Sequence, residues 1–98
     1  MDLAAFTVSL EDDNPPRGVS AAVAGLWWDA KGDWTQAHDA AQRQDDAAGA
    51  WVHAYLHRKE GDLENARYWY RRAGKSESTM PLAREWEGIA AALLDRQG

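Results

Sequence analysis

The chain contains no cysteine among its 98 residues. Disulfides, thiolate metal sites and cysteine nucleophiles are therefore excluded, and the redox compartment is left open. Residues 1–6 lack the basic start and the long apolar stretch of a secretory signal. No segment of the sequence is apolar over the length that a bilayer requires. We expect a cytoplasmic protein that does not bind membranes.

Large aliphatic side chains are also scarce, because Leu, Ile, Val and Phe together account for only 14 of the 98 residues. Such a low content alone is typical of disordered chains. Six Trp, three Tyr and 19 Ala compensate for it. Aromatic rings bury large apolar areas and alanine lets helices approach closely, so we predict one helical domain over residues 1–98 with an aromatic core.

Positive charge is concentrated in one part of this acidic chain, whose net charge is −5. Residues 1–46 carry nine acidic and three basic side chains, whereas residues 58–75 carry six basic and three acidic ones. A local basic patch suits an acidic group on a partner, or the acidic half of a second copy. It does not suit nucleic acid, which requires a broadly basic surface.

Turn and cap residues divide the chain into segments. Leu3, Phe6, Val8 and Leu10 precede a charged, proline-bearing stretch at 11–18, and they are compatible with a short helix or an extended arm. The predicted segments are a leader at 1–19, a first helical hairpin at 20–44, a second at 47–74 and a capping helix at 80–96. The predicted helices are 21–31, 33–43, 50–60, 62–73 and 81–96, with a connection at 44–49.

The two hairpins repeat one another. A shift of 29 residues superimposes five identical pairs, among them Gly32 on Gly61 and Asp33 on Asp62. The glycine permits a tight turn and the aspartate caps the next helix, so the identities fall where hairpin geometry demands them. We interpret the repeat as a duplicated helical hairpin.

The sequence GDLENARYWYRRA, at 61–73, resembles the tetratricopeptide and Sel1-like repeats, and the resemblance extends over about residues 20–74. It implies an all-α fold of two tetratricopeptide-like hairpins plus a C-terminal capping helix, arranged as a right-handed α-α solenoid. It also implies a concave surface lined by the first helix of each hairpin. The resemblance thus favours a scaffold or adaptor module that binds a protein or peptide partner, or that forms a homodimer.

Partner-binding residues are predicted on two helices. By position within the repeat, the concave surface includes Trp51, Tyr55, Arg58 and Lys59, a combination that suits an acidic peptide. The basic helix that follows adds Arg67 and Arg71, four residues apart. The alternatives are that Trp51 and Tyr55 belong to the core beneath the leader, and that the arginines form an ordinary solvated face.

Three histidines offer a second function of a different class. His53 and His57 are four residues apart, and His38 belongs to the helix expected beside them, so three imidazoles are candidates for a metal or small-molecule site. No HExxH string supports such a site, and the favoured interpretation is that they are core residues, with no metal or cofactor. No nucleophile, phosphate-binding or dinucleotide motif is present. We therefore predict no catalytic residues and no enzyme activity.

Overall fold

The computed structural model describes residues 1–97, and within them the chain forms six α-helices and no strand. The helices are α1 (Leu3–Val8), α2 (Ala21–Ala30), α3 (Trp34–Arg43), α4 (Ala47–Glu60), α5 (Leu63–Ala73) and α6 (Leu82–Gln97). A short 3-10 turn at Ser9–Glu11 extends α1. The all-α prediction is confirmed. Across the described residues, no helix has both the length and the apolar character needed to cross a lipid bilayer.

The turns of the hairpins α2/α3 and α4/α5 are each formed by a glycine followed by an aspartate. Gly32 and Gly61 have left-handed backbone conformations, with φ angles of 84° and 90°. Residues that carry a Cβ rarely adopt such angles. The aspartate that follows each glycine caps the next helix, since Asp33 Oδ1 accepts from the Gln36 amide at 3.0 Å and Asp62 Oδ1 from that of Asn65 at 3.2 Å. The predicted helix starts and stops therefore hold at both turns.

The start of α4 differs from the prediction. The segment 44–49 was expected to be a connection, but α4 begins at Ala47 because the Asp46 side chain caps it, accepting from the Gly49 amide at 2.9 Å. A Cβ on Gly49 would lie 1.8 Å from the carbonyl oxygen of Gln44. Gly49 thus lets the chain before the helix lie directly against its first turn.

The leader belongs to the core. Phe6 of α1 is fully buried and stacks on Trp86 of α6, with their ring centroids 5.8 Å apart. Trp27 Nε1 donates to the hydroxyl of Ser9 at 3.2 Å, and Lys31 Nζ donates to the backbone carbonyl of Leu10 at 2.7 Å. Of the two conformations compatible with the sequence, the leader therefore adopts the helical one.

The capping helix α6 packs on the same core as the leader and contacts α1. Its residues Ile89, Leu93 and Leu94 are buried in the main apolar cluster, and Trp86 Nε1 donates to the Leu26 carbonyl at 2.9 Å. Both α2 and α4 contact α6, and α4 also contacts α2, α3 and α5. Because α4 touches four other helices, polar residues on it meet partners from several parts of the chain.

Candidate functional site

The stripe expected along the first helices does not form an open surface. Tyr55 is only 2% exposed, and its hydroxyl donates to Asp29 Oδ2 at 3.1 Å. Trp51 is half-buried, and the Lys75 ammonium lies 4.3 Å from the centroid of its ring. Of the two alternatives for Tyr55, the structure therefore has the core position, in the apolar cluster that also contains Phe6 and against which Leu10 of the leader packs.

Arg58 and Lys59 hold buried carboxylates. Arg58 Nη1 donates to Glu85 Oε1 at 2.8 Å, and Lys59 Nζ donates to Asp29 Oδ1 at 2.9 Å. Both carboxylate side chains are almost wholly buried. Each also accepts from a tyrosine hydroxyl, and burial, followed by these carboxylates, raises the pKa of both Tyr55 and Tyr70. The basic end of α4 thus anchors α2 and α6 internally.

The remaining predicted contacts, Arg67 and Arg71, lie on the exposed face of α5. Arg67 Nε donates to Glu77 Oε1 at 3.0 Å between two half-exposed side chains, a pair that water screens strongly. Arg71 has no side-chain partner among the described residues. Both arginines therefore lie in contact with solvent, and Arg67 but not Arg71 is engaged in an ion pair among the described residues.

The three histidines converge. His53 and His57 follow one another on one face of α4, and His38 reaches them from α3, so that His53 Nε2 and His38 Nε2 are 2.9 Å apart. One ring nitrogen from each histidine lies within 4.8 Å of the others. His53 and His57 are 3% and 6% exposed, and His38 is half-buried. The sequence alternative of one shared site is therefore geometrically available.

Two tryptophans form the walls of this three-histidine cluster. Trp34 of α3 stacks on His38 at a centroid distance of 4.7 Å, and Trp69 of α5 stacks on His53 at 3.9 Å. The interplanar angles are 16° and 15°. The imidazoles therefore have restricted orientations in the absence of any ligand, which reduces the entropic cost of binding one.

The carboxylate of Glu60 contacts the ring of His57. His57 Nδ1 lies 2.6 Å from Glu60 Oε1, and that contact requires a proton on Nδ1. The neutral tautomer then has its lone pair on Nε2, which is 3.4 Å from the side-chain nitrogen of Asn65. A carboxylate that fixes the tautomer and the ring orientation in this way is the usual companion of a metal-binding histidine.

The electrostatics favour neutral imidazoles at His53 and His38. Burial lowers the pKa of His53 from 6.5 to about 4, and the charges of protonated His38 and His57 act in the same direction. Burial and the charge of His57 also lower the pKa of His38. A neutral imidazole is the form that donates a lone pair to a metal ion, so His53 is ready to act as a ligand at neutral pH.

A cleft with a volume of about 310 Å³ lies next to the cluster and shares His53 and Trp69 with it. Its other lining residues come from α3, the connection before α4, the first turn of α4, and α5. They include Gln42, Asp45, Asp46, Ala50 and Arg72. Trp34, Glu60 and Trp69 were not predicted as site residues. Spacing was the available signal for two of them, since Trp34 precedes His38 by four residues and Glu60 follows His57 by three.

Comparison of the chain with protein-family models, curated proteins and solved structures finds no match in any of the three.

Proposed function

We propose that the protein binds one divalent transition-metal ion, such as Zn²⁺, through His38, His53 and His57. The convergence of three largely buried imidazoles, with candidate ligand nitrogens within 4.8 Å of one another, carries the proposal. Nitrogens bound to one tetrahedral zinc ion lie about 3.3 Å apart, given Zn–N bonds of about 2.0–2.1 Å. That separation lies between two distances in the structure. The Nε2 atoms of His38 and His53 are 2.9 Å apart, and the candidate ligand nitrogens of the three histidines are at most 4.8 Å apart.

The surroundings of the three-histidine cluster support the same conclusion. Glu60 supplies the hydrogen bond that orients His57, and the two tryptophans restrict the other rings. Imidazole nitrogen suits zinc, copper, nickel and iron, whereas calcium and magnesium require oxygen ligands. Three protein ligands also leave a fourth position of a tetrahedral ion for another group.

Metal titration tests this proposal. Chelator-treated protein is titrated with Zn²⁺ in competition with a chromophoric chelator, and we expect one ion per chain. Replacing any one of the three histidines by alanine should lower the affinity at least about tenfold, because a metal ligand is lost. Gln36→Ala, an exposed change on α3, is the matched control and should leave the affinity unchanged.

Circular dichroism verifies that each variant is folded before titration. Glu60→Gln should lower the affinity by about tenfold, because outer-shell partners typically contribute that much. The proposal fails if the wild-type protein takes up no zinc, or if the histidine variants bind it as tightly as Gln36→Ala does.

A second function, protein binding, is supported by the exposed face of α5. Arg71 has no side-chain partner in the described part of the chain, and the neighbouring Tyr68 is 38% exposed. We propose that this face binds an acidic protein segment or the acidic half of a second copy, in keeping with the resemblance to tetratricopeptide and Sel1-like repeats. The proposal retains the cytoplasmic location and the absence of nucleic acid as a partner.

The oligomeric state in solution tests whether this face of α5 binds a second copy of the chain. Light scattering at low ionic strength should detect a dimer that dissociates at high salt, since exposed charge pairs are screened. Arg71→Glu should abolish the dimer, whereas Arg84→Glu, an exposed change on α6, should not. A monomer at both salt concentrations would exclude the homodimer.

A further inference from the structure

The cleft beside the three-histidine cluster lies one helical turn further along each of three helices. Gln42 follows His38 by four residues on α3, Ala50 precedes His53 by three on α4, and Arg72 follows Trp69 by three on α5. One turn advances a helix by about 5.4 Å, so a group in the cleft lies within reach of the histidines. The cleft therefore adjoins the cluster through His53 and Trp69, which belong to both.

Arg72 is the one cation among the residues that line the cleft. Its guanidinium lies 5.3 Å from the centroid of the Trp69 ring and 5.8 Å from that of Tyr68. Its Nη1 also donates to the hydroxyl of Tyr68 at 3.0 Å. These contacts hold the planar group in place while some of its N–H donors remain available.

The two carboxylates of the cleft differ in how firmly they are engaged. Asp46 caps α4 and also accepts from the side-chain Nε2 of Gln44 at 3.1 Å, so both of its carboxylate oxygens already have donors. Asp45 is 92% exposed at its side chain, and its Oδ1 is 3.6 Å from Arg72 Nη2. A pair so exposed and so long contributes little energy. An anion entering the cleft can therefore displace Asp45 from Arg72 at low cost.

We propose that the cleft binds a small dicarboxylate anion, with one carboxylate on the metal held by the three histidines and the other on Arg72. This inference rests on the proposed metal function. Carboxylate oxygen is a normal zinc ligand, and the fork of an arginine matches the second carboxylate bidentately. A cleft of about 310 Å³ is at the small end of ligand sites, which suits a compact anion.

The affinity of the cleft for dicarboxylates can be measured with the Co²⁺-loaded protein. Co²⁺ occupies zinc sites and has visible absorption bands that change when its coordination changes. The Co²⁺-loaded protein is titrated with acetate, malonate, succinate and glutarate. We expect at least one dicarboxylate to bind at least about tenfold more tightly than acetate, because a hydrogen-bonded charge pair is added.

Three variants distinguish a ligand contact from a general effect of charge. Arg72→Ala should reduce the affinity for the preferred dicarboxylate to that for acetate, whereas Arg43→Ala, which removes an exposed charge next to Gln42 but outside the cleft, should not. Asp45→Asn should raise the affinity, because the internal competitor for Arg72 is removed. A purely structural role of Arg72 would not produce this opposite change at Asp45.

The outcomes separate the two proposals. Cobalt uptake without a preference for any dicarboxylate over acetate overturns the dicarboxylate site and leaves the metal site intact. Equal losses in Arg43→Ala and Arg72→Ala overturn it as well. Failure of the wild-type protein to take up cobalt or zinc overturns both proposals.

Discussion

Acid should destabilise the metal-free protein through His53. The pKa of His53 is about 4 in the folded protein against 6.5 for an unperturbed histidine. The unfolded chain therefore binds a proton at His53 more tightly than the folded protein does. As the pH is lowered through 6.5, the contribution of His53 to the free energy of unfolding falls, and below about pH 4 it is constant. At about 1.4 kcal/mol per pKa unit, the free energy of unfolding should drop by at most about 3 kcal/mol.

Urea denaturation followed by far-UV circular dichroism, in the presence of a chelator, measures this drop directly. His53→Gln removes this titrating group and should make the profile less steep in the same pH range, while the lowered pKa of His38 still contributes there. The lowered pKa of Asp46 acts below its ordinary value of 3.8, outside this range. A wild-type protein whose stability is constant down to pH 4, or a variant with an unchanged slope, would refute the reasoning.

Three further changes test the packing by the same denaturation assay. Gly49→Ala places a methyl group 1.8 Å from a backbone carbonyl oxygen and should cost at least about 2 kcal/mol, whereas Gly88→Ala, with no atom within 4 Å, should cost nothing. Glu85→Ala removes the acceptor of a partly buried arginine and should cost about 3–5 kcal/mol. The exposed Glu87→Ala should stay within about 0.5 kcal/mol. Phe6→Ala empties a fully buried site and should cost about 3–5 kcal/mol; an effect below about 1 kcal/mol would show that the leader is not docked in solution.

The hairpins were predictable because the residues that define them act locally. Gly61 and Asp62 determine a turn through their own backbone and the next three residues, and the sequence displays that pattern twice. The docking of the leader was left open as one of two alternatives, because the burial of Phe6 depends on Trp86, which is 80 residues away in the sequence. The start of α4 was missed because Gly49 is usually a sign of a loop, whereas here it allows a close backbone approach.

The site was predictable only in its parts. The four-residue spacing of His53 and His57 places them on one face, but their meeting with His38 depends on how α3 packs on α4. For the same reason, Tyr55 and Arg58 resembled a binding surface. Their partners are Asp29 and Glu85, each at least 26 residues away in the sequence, and no local pattern shows that these charges are satisfied internally.

The stacking of Trp34 and Trp69 on histidines makes the site visible to fluorescence spectroscopy. Protonated imidazole quenches the emission of a tryptophan that it touches, and these are two of the six tryptophans in the chain. Titration of His38 and His53 should therefore change the emission intensity of the folded protein without any added dye. The protein thus carries its own optical reporter for the protonation of His38 and His53, and the same signal would test the metal binding proposed above.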